Sequence, residues 1–202
     1  LRLEVRLPVG VDEASVVDLP SILALHHPDA DDLATLKYLL WGDEPPPVTQ
    51  HERSDPPAPF APPDLIIQVI DATSLLSHLE LTLKLSQLGR PLVIALNRID
   101  EAMKKGLSIN VKALEKLLGV PVVQPVALMG QGIAQLFSTA VNTARQATCP
   151  LPQPPSSHIA ESLQPLSAAL TRPDSHAAFR VPHPFLLLQF AAGEDYFEAE
   201  LR

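Results

Sequence analysis

Cysteine is almost missing from these 202 residues; Cys149 is the only one. That excludes an intrachain disulfide framework and any metal site built on several thiolates, and it suits a reducing compartment. No run of 18 apolar residues occurs, so no membrane span is expected in this stretch. No secretory signal pattern opens it either. Positive charge is scarce, with 15 Lys and Arg against 23 Asp and Glu and a net charge of −8. Such a balance argues against nucleic acid or an anionic membrane as the main partner. Hydrophobic residues make up 46% and charged residues 19%, so a packed core is feasible and wholesale disorder is not expected. The length suits one ordinary domain plus a small one. The opening residue is Leu, as in a piece of something longer. What the chain has in excess is proline, 22 residues in clusters.

The stretch from Asp64 to Asp100 organises the rest. An apolar run from Leu65 to Ile70 ends at Asp71. A helical pattern follows, with Leu75, Leu79, Leu83 and Leu85 or Leu88 on one face. Gly89 and Pro91 then punctuate, and a second apolar run, Leu92 to Leu96, ends in Asn97-Arg98-Ile99-Asp100. Continuous apolar runs bounded by turn signals are the mark of strands buried on both faces. Strand, helix, strand in so short a span predicts a βαβ unit with parallel strands. Ligands of such sheets collect at the carboxyl ends of the strands, where Asn97 and Asp100 fall. Asn-x-x-Asp there suits a purine pocket, because a carboxylate accepts two N–H bonds from the N1 and N2 edge of guanine. On spacing alone the commoner reading is plainer: Asp100 caps a helix and Asn97 makes a turn.

Before this unit, Leu3 to Leu7 alternates apolar and charged residues, and Ala14 to Val17 is short and mostly apolar; together they predict a hairpin at a sheet edge. Asp31 to Leu40 predicts a helix. Residues 44–63 carry eight prolines in twenty positions, which excludes a helix or a central strand and predicts an extended surface insertion. After the central unit, short helices are expected over Glu101 to Gly106 and Asn110 to Leu118, a strand over Val120 to Val126, and an amphipathic helix over Ile133 to Ala147. A second linker, Thr148 to Ser157, leads to a tail without strand signals. Helices are expected there over His158 to Leu170, kinked or split at Pro165, and over Glu194 to Leu201. The apolar run Val181 to Phe190 lies between them.

Taken in order, these segments resemble the cytosolic amino-terminal region of the ferrous iron transport protein B (FeoB) family, a GTP-binding domain followed by a helical spacer. Asp18-Leu19-Pro20 resembles the family's DLPG, and Asp31 to Asp43 the helix after it. Asp64 to Asp71 and Leu79 to Leu88 resemble the next strand and helix. Ala95-Leu96-Asn97-Arg98-Ile99-Asp100 resembles ALNxxD, the guanine-specificity motif. Leu118 to Val123 and Gly130 to Ile133 resemble the fifth-motif strand and its flank. More loosely, Leu187-Leu188-Gln189 with Gly193 to Tyr196 resembles a segment of the spacer. The resemblance covers nearly the whole chain apart from residues 44–63, and it reverses the weighting of Asn97 and Asp100.

The resemblance implies an α/β fold, a P-loop-GTPase-like and mostly parallel sheet flanked by helices, over residues 1–148, then a small all-α spacer over 149–202. It implies GTP or GDP with Mg²⁺ as ligands. Asp100 would bond the guanine edge, Asn97 would bond the base and brace the pocket, and Arg98 would lay its stem along the base. Ala127 and Leu128 would sit by the guanine oxygen, Asp18 would hold Mg²⁺ through water, and Ser21 would lie by the γ-phosphate. It implies a place on the cytoplasmic face of a bacterial inner membrane as part of a longer protein, with a membrane domain that passes Fe²⁺ as partner, self-association, and no nucleic acid.

Three departures stand against the family pattern. No G-x-x-x-x-G-K-[ST] phosphate loop occurs in the 202 residues. The DLPG glycine is Ser21, and the fifth-motif serine is Ala127. The alternative expectation is therefore a degenerate relative, a binding or scaffold module without hydrolysis. Among other candidates, His26 to Asp32 has metal-ligand types but reads first as a polar loop with helix-capping aspartates. Cys149 reads as an inert surface thiol.

Overall fold

The computed structural model describes residues 3–10, 12–20, 22, 30–42, 63–151, 157–170 and 182–193. The chain divides into two compact units: Leu1–Leu23 with Asp64–Pro152, and Ala24–Pro63 with Gln153–Arg202.

In the first unit, strands β1 (Leu3–Val9) and β2 (Asp12–Asp18) pair antiparallel, with Leu3 opposite Asp18. Their alternating residues leave Arg6, Glu13, Ser15 and Asp18 exposed, while Leu7, Ala14 and Val16 are half-buried. A separate three-stranded sheet has the order β3 (Ile66–Asp71), β4 (Leu92–Asn97), β5 (Val122–Val123), all parallel. The helix between β3 and β4, α2 (Leu75–Ser86), is the crossover that parallel pairing requires. Helices α3 (Ile99–Lys104), α4 (Val111–Leu118) and α5 (Ile133–Gln146) follow in turn.

Both faces of the central strand are covered, and the pleat assigns each side chain of the sheet to one face. Ile66, Gln68 and Ile70 face α2, as the bond from Gln68 Nε2 to the His78 carbonyl shows. Val93, Ala95 and Val123 bury against Leu136 of α5, with Leu65 and Ile67 packed beside them. β4 is the centre: Leu92 to Leu96 are all at most 1% exposed. This is why that run reads as unbroken hydrophobic sequence.

Two expectations need correction. The strand expected over Val120 to Val126 is only Val122–Val123. Pro121 and Pro125 bracket it, and neither has an N–H to give to a ladder. The helix expected from Glu101 begins at Ile99.

In the second unit the described elements are α1 (Ala30–Trp41), α6 (Ser157–Leu170) and α7 (His183–Ala192). Helix α6 runs through Pro165 as one helix, without the split that sequence allowed. Helices α6 and α7 pack together, with Leu170, Phe185 and Leu186 buried. The expected helix from Glu194 and the insertion at 44–63 lie outside the described residues. No helix among the described residues is long and apolar enough to cross a membrane.

Candidate functional site

The parallel register sets Asp71 directly beside Asn97, so β3 and β4 end in polar side chains at the same level. After Asn97 the chain turns through Arg98, which is left-handed at φ 61° and ψ 30°. A non-glycine residue pays about 1 kcal/mol or more there. The turn lets the Arg98 carbonyl accept from the Glu101 and Ala102 amides, which starts α3. Asp100 therefore sits inside the first turn of α3 instead of capping it, and Arg98 occupies the cap position. The Asp100 carboxylate is 42% exposed, with Lys104 Nζ 3.7 Å away.

Asn97 reaches across to the other loop. Its Oδ1 accepts from the Ala127 amide at 3.3 Å. Ala127 opens a single 3-10 turn, Ala127–Met129, which Gly130 ends in left-handed geometry. A bridge between Val126 and Gln131 closes the loop. Gly132 is needed there: its φ is 76°, and a Cβ would lie 3.1 Å from the Pro125 Cα. Leu128, in the same turn, is 95% exposed.

The Arg98 guanidinium is held from two sides. Nη1 donates to Asp71 Oδ2 at 2.6 Å, and Nη2 donates to Glu101 Oε2 at 2.5 Å. The other oxygen of Asp71 accepts from the Thr73 amide at 2.8 Å. That backbone bond, with the nearby Arg98 charge, holds the Asp71 carboxyl below the usual carboxylate range. The bond to Glu101, followed by the charge of Asp71, holds the Arg98 guanidinium above its usual value.

A depressed carboxyl pKa makes folding favour the ionised form. Its stabilisation is full above the unfolded value near 3.8 and fades as pH falls through the lower folded value. Asp71→Asn is therefore expected to flatten the acid limb of the stability curve below about pH 4 and to leave its shape above about pH 5 unchanged. The effect is small, because the pair is partly exposed. Urea midpoints across pH 2 to 7 check this, and an acid limb as steep as in the unchanged chain would contradict it.

The structure thus gathers Asn97, Arg98, Asp100 and Ala127 at one end of the sheet, with Leu128 on the same loop. Asp18 ends β2 in the other sheet with an exposed side chain. Ser21 and His26 to Asp29 lie outside the described residues, while Asp31 and Asp32 fall within the first turn of α1. Asp18 alone offers too few oxygens for a dedicated Mg²⁺ site, and the described residues hold no cluster of three His, Cys, Asp or Glu able to bind a metal. Cys149 is exposed and donates to the Gly89 carbonyl. Sequence reasoning missed Asp71 and Glu101 as the partners of Arg98. The available signal was that Asp71 closes one apolar run as Asn97 closes the next.

Residues 60–140 match the sequence model of a family described as ferrous iron transport protein B. Over these residues the chain is similar to FeoB. It is 34% identical over 133 residues to the Fe(2+) transport protein A/Fe(2+) transporter FeoB fusion protein of Porphyromonas gingivalis, covering 66% of this chain and 14% of the relative. It is 35% identical over 128 residues to the Fe(2+) transporter FeoB of Salmonella typhimurium, covering 61% of this chain and 14% of the relative. The chain thus matches only a small part of these curated relatives. Among solved structures, NFeoB from S. thermophilus with mGMPPNP bound is 26% identical with a TM-score of 0.74, over 99% of this chain and 66% of that one. The apo cytosolic domain of the T. maritima FeoB iron transporter matches at 23% identity and a TM-score of 0.80, over 98% of this chain and 70% of that one. The latter is a likeness of fold: the described α/β unit has the fold of that cytosolic domain.

Proposed function

We propose that this chain supplies the guanine-reading part of a ferrous iron transporter, at the cytoplasmic face of a bacterial inner membrane. The observation that carries the reading is the Asn97 Oδ1 bond to the Ala127 amide. It ties the N-x-x-D loop to the loop after β5, at the carboxyl ends of parallel strands where such sheets bind ligands. In this reading the Asp100 carboxylate accepts the N1 and N2 hydrogens of guanine. The Asn97 amide nitrogen stays available to the base while its oxygen braces the pocket. The stem of Arg98 lies along the purine face, and backbone N–H groups of the 127–130 turn meet the guanine oxygen. Nucleotide state then biases a membrane domain that passes Fe²⁺ as cargo.

Phosphate chemistry belongs to a G-x-x-x-x-G-K-[ST] loop, which these 202 residues do not contain. A second reading, a base-binding scaffold without hydrolysis, is favoured by Ser21 and Ala127 in place of the family's glycine and serine.

Thermal unfolding with GDP, with GTP plus Mg²⁺, and with ATP as control tests the base pocket. Ligand that binds only the native state stabilises it by about 2.7 kcal/mol at one hundred times Kd. A rise in Tm with the guanine nucleotides and not with ATP is expected. No shift at millimolar GDP would sink the guanine reading for this chain.

A further inference from the structure

Arg98 is the middle of the N-x-x-D loop, and its two terminal nitrogens are filled by carboxylates from two different elements. Asp71 comes from the end of β3 and Glu101 from the first turn of α3. A partly exposed ion pair adds little to stability, so this arrangement is poorly explained as a fold-holding device. It also sits on a residue whose left-handed backbone carries local strain, a combination found where geometry is set for a ligand. With both terminal nitrogens engaged, the guanidinium is a poor candidate for clamping a phosphate. What it still offers is its stem and its planar face, which suit stacking on a ring.

The two carboxylates have a second consequence. Arg98 stands two residues from Asp100 and is the nearest guanidinium in sequence. Engaged by Asp71 and Glu101, it is kept from pairing with the Asp100 carboxylate, which stays open to accept from a base. We infer that Asp71 and Glu101 are positioning residues for guanine binding, acting through Arg98 as a two-sided clamp. The clamp orders a long side chain before the ligand arrives, so less ordering remains to be done on binding. This inference rests on the guanine-binding reading above.

The test is a double-mutant cycle on the full 202-residue chain, read by titration with N-methylanthraniloyl-GDP. Asp71→Asn keeps an oxygen for the Thr73 amide and removes the charge that faces Arg98. Glu101→Gln attacks the other arm without touching that cap. Each is expected to weaken binding about 3- to 10-fold, the size of one long side chain that must be ordered on binding. In an Arg98→Met background the same changes are expected to have no further effect. ¹⁵N relaxation of the Arg98 Nε–Hε group supplies a readout that fold stability does not move: it is expected to be rigid in the unchanged chain and loosened in either variant. If the unchanged chain fails to bind the probe at millimolar concentration, the guanine reading and the clamp fall together. If it binds, and Asp71→Asn and Glu101→Gln leave Kd within twofold or weaken it equally in the Arg98→Met background, the clamp alone is overturned.

Discussion

Asp100→Asn is expected to weaken GDP binding by about 30- to 150-fold and to raise the affinity for xanthosine diphosphate. The cause lies in donor and acceptor counting. A carboxylate offers only acceptors, and guanine presents two donors at N1 and N2. An amide offers one acceptor and one donor, so its NH₂ meets the guanine N2 amino group donor to donor. Xanthine carries a carbonyl at that position and accepts from the new NH₂. Hydrogen bonds to a charged group are worth about 1.5–3 kcal/mol, and the partial exposure of Asp100 argues for a total near 2–3 kcal/mol. At about 1.4 kcal/mol per tenfold, that gives the stated range. The substitution spares the fold: Asp100 lies in the first turn of a six-residue helix, and its contact with Lys104 is a long surface pair of little value. Competition binding with GDP, XDP and ADP decides it. Unchanged preference for GDP over XDP would remove Asp100 from the base-reading role and leave it a helix residue.

The legible parts of this fold were those set by local pattern. β3 and β4 read as strands because each is an apolar run ended by a polar residue, and α2 between them made the pairing parallel. The hairpin β1–β2 showed through its alternation. Residues 120–126 misled because their apolar content outweighed Pro121 and Pro125. Arg98 misled in another way. Left-handed residues are commonly Gly, Asn or Asp, so nothing local marks an arginine for that geometry, and the helix start was placed too late. Asn97 and Asp100 were visible as a motif. The bond that makes Asn97 a brace spans thirty positions and exists only once β4 and the 127–130 turn are side by side. Asp71 and Glu101 were hidden for the same reason: charge alone does not say which guanidinium a carboxylate will meet.

Leu96→Ala is expected to cost about 3 kcal/mol, within the 2–5 kcal/mol range for buried leucines. Leu96 is fully buried on the central strand and directly precedes Asn97. Deleting its side chain removes apolar contacts and leaves a cavity that the flanking β3 and β5 cannot close without giving up ladder bonds. For a chain of this size about 3 kcal/mol lowers Tm by roughly 6–12 °C. The control is Val69→Ala on the neighbouring strand. Val69 is 63% exposed, so the loss there is expected to stay within about 0.5 kcal/mol. Urea unfolding followed by far-UV circular dichroism checks both, with the Leu96 variant shifting the midpoint at constant slope. The two sites differ in burial far more than in residue type, so the gap between them measures how completely β4 is sandwiched. Equal costs would mean that β4 is not the buried centre of the sheet, and Asn97 would then lose the rigid platform from which it reaches Ala127.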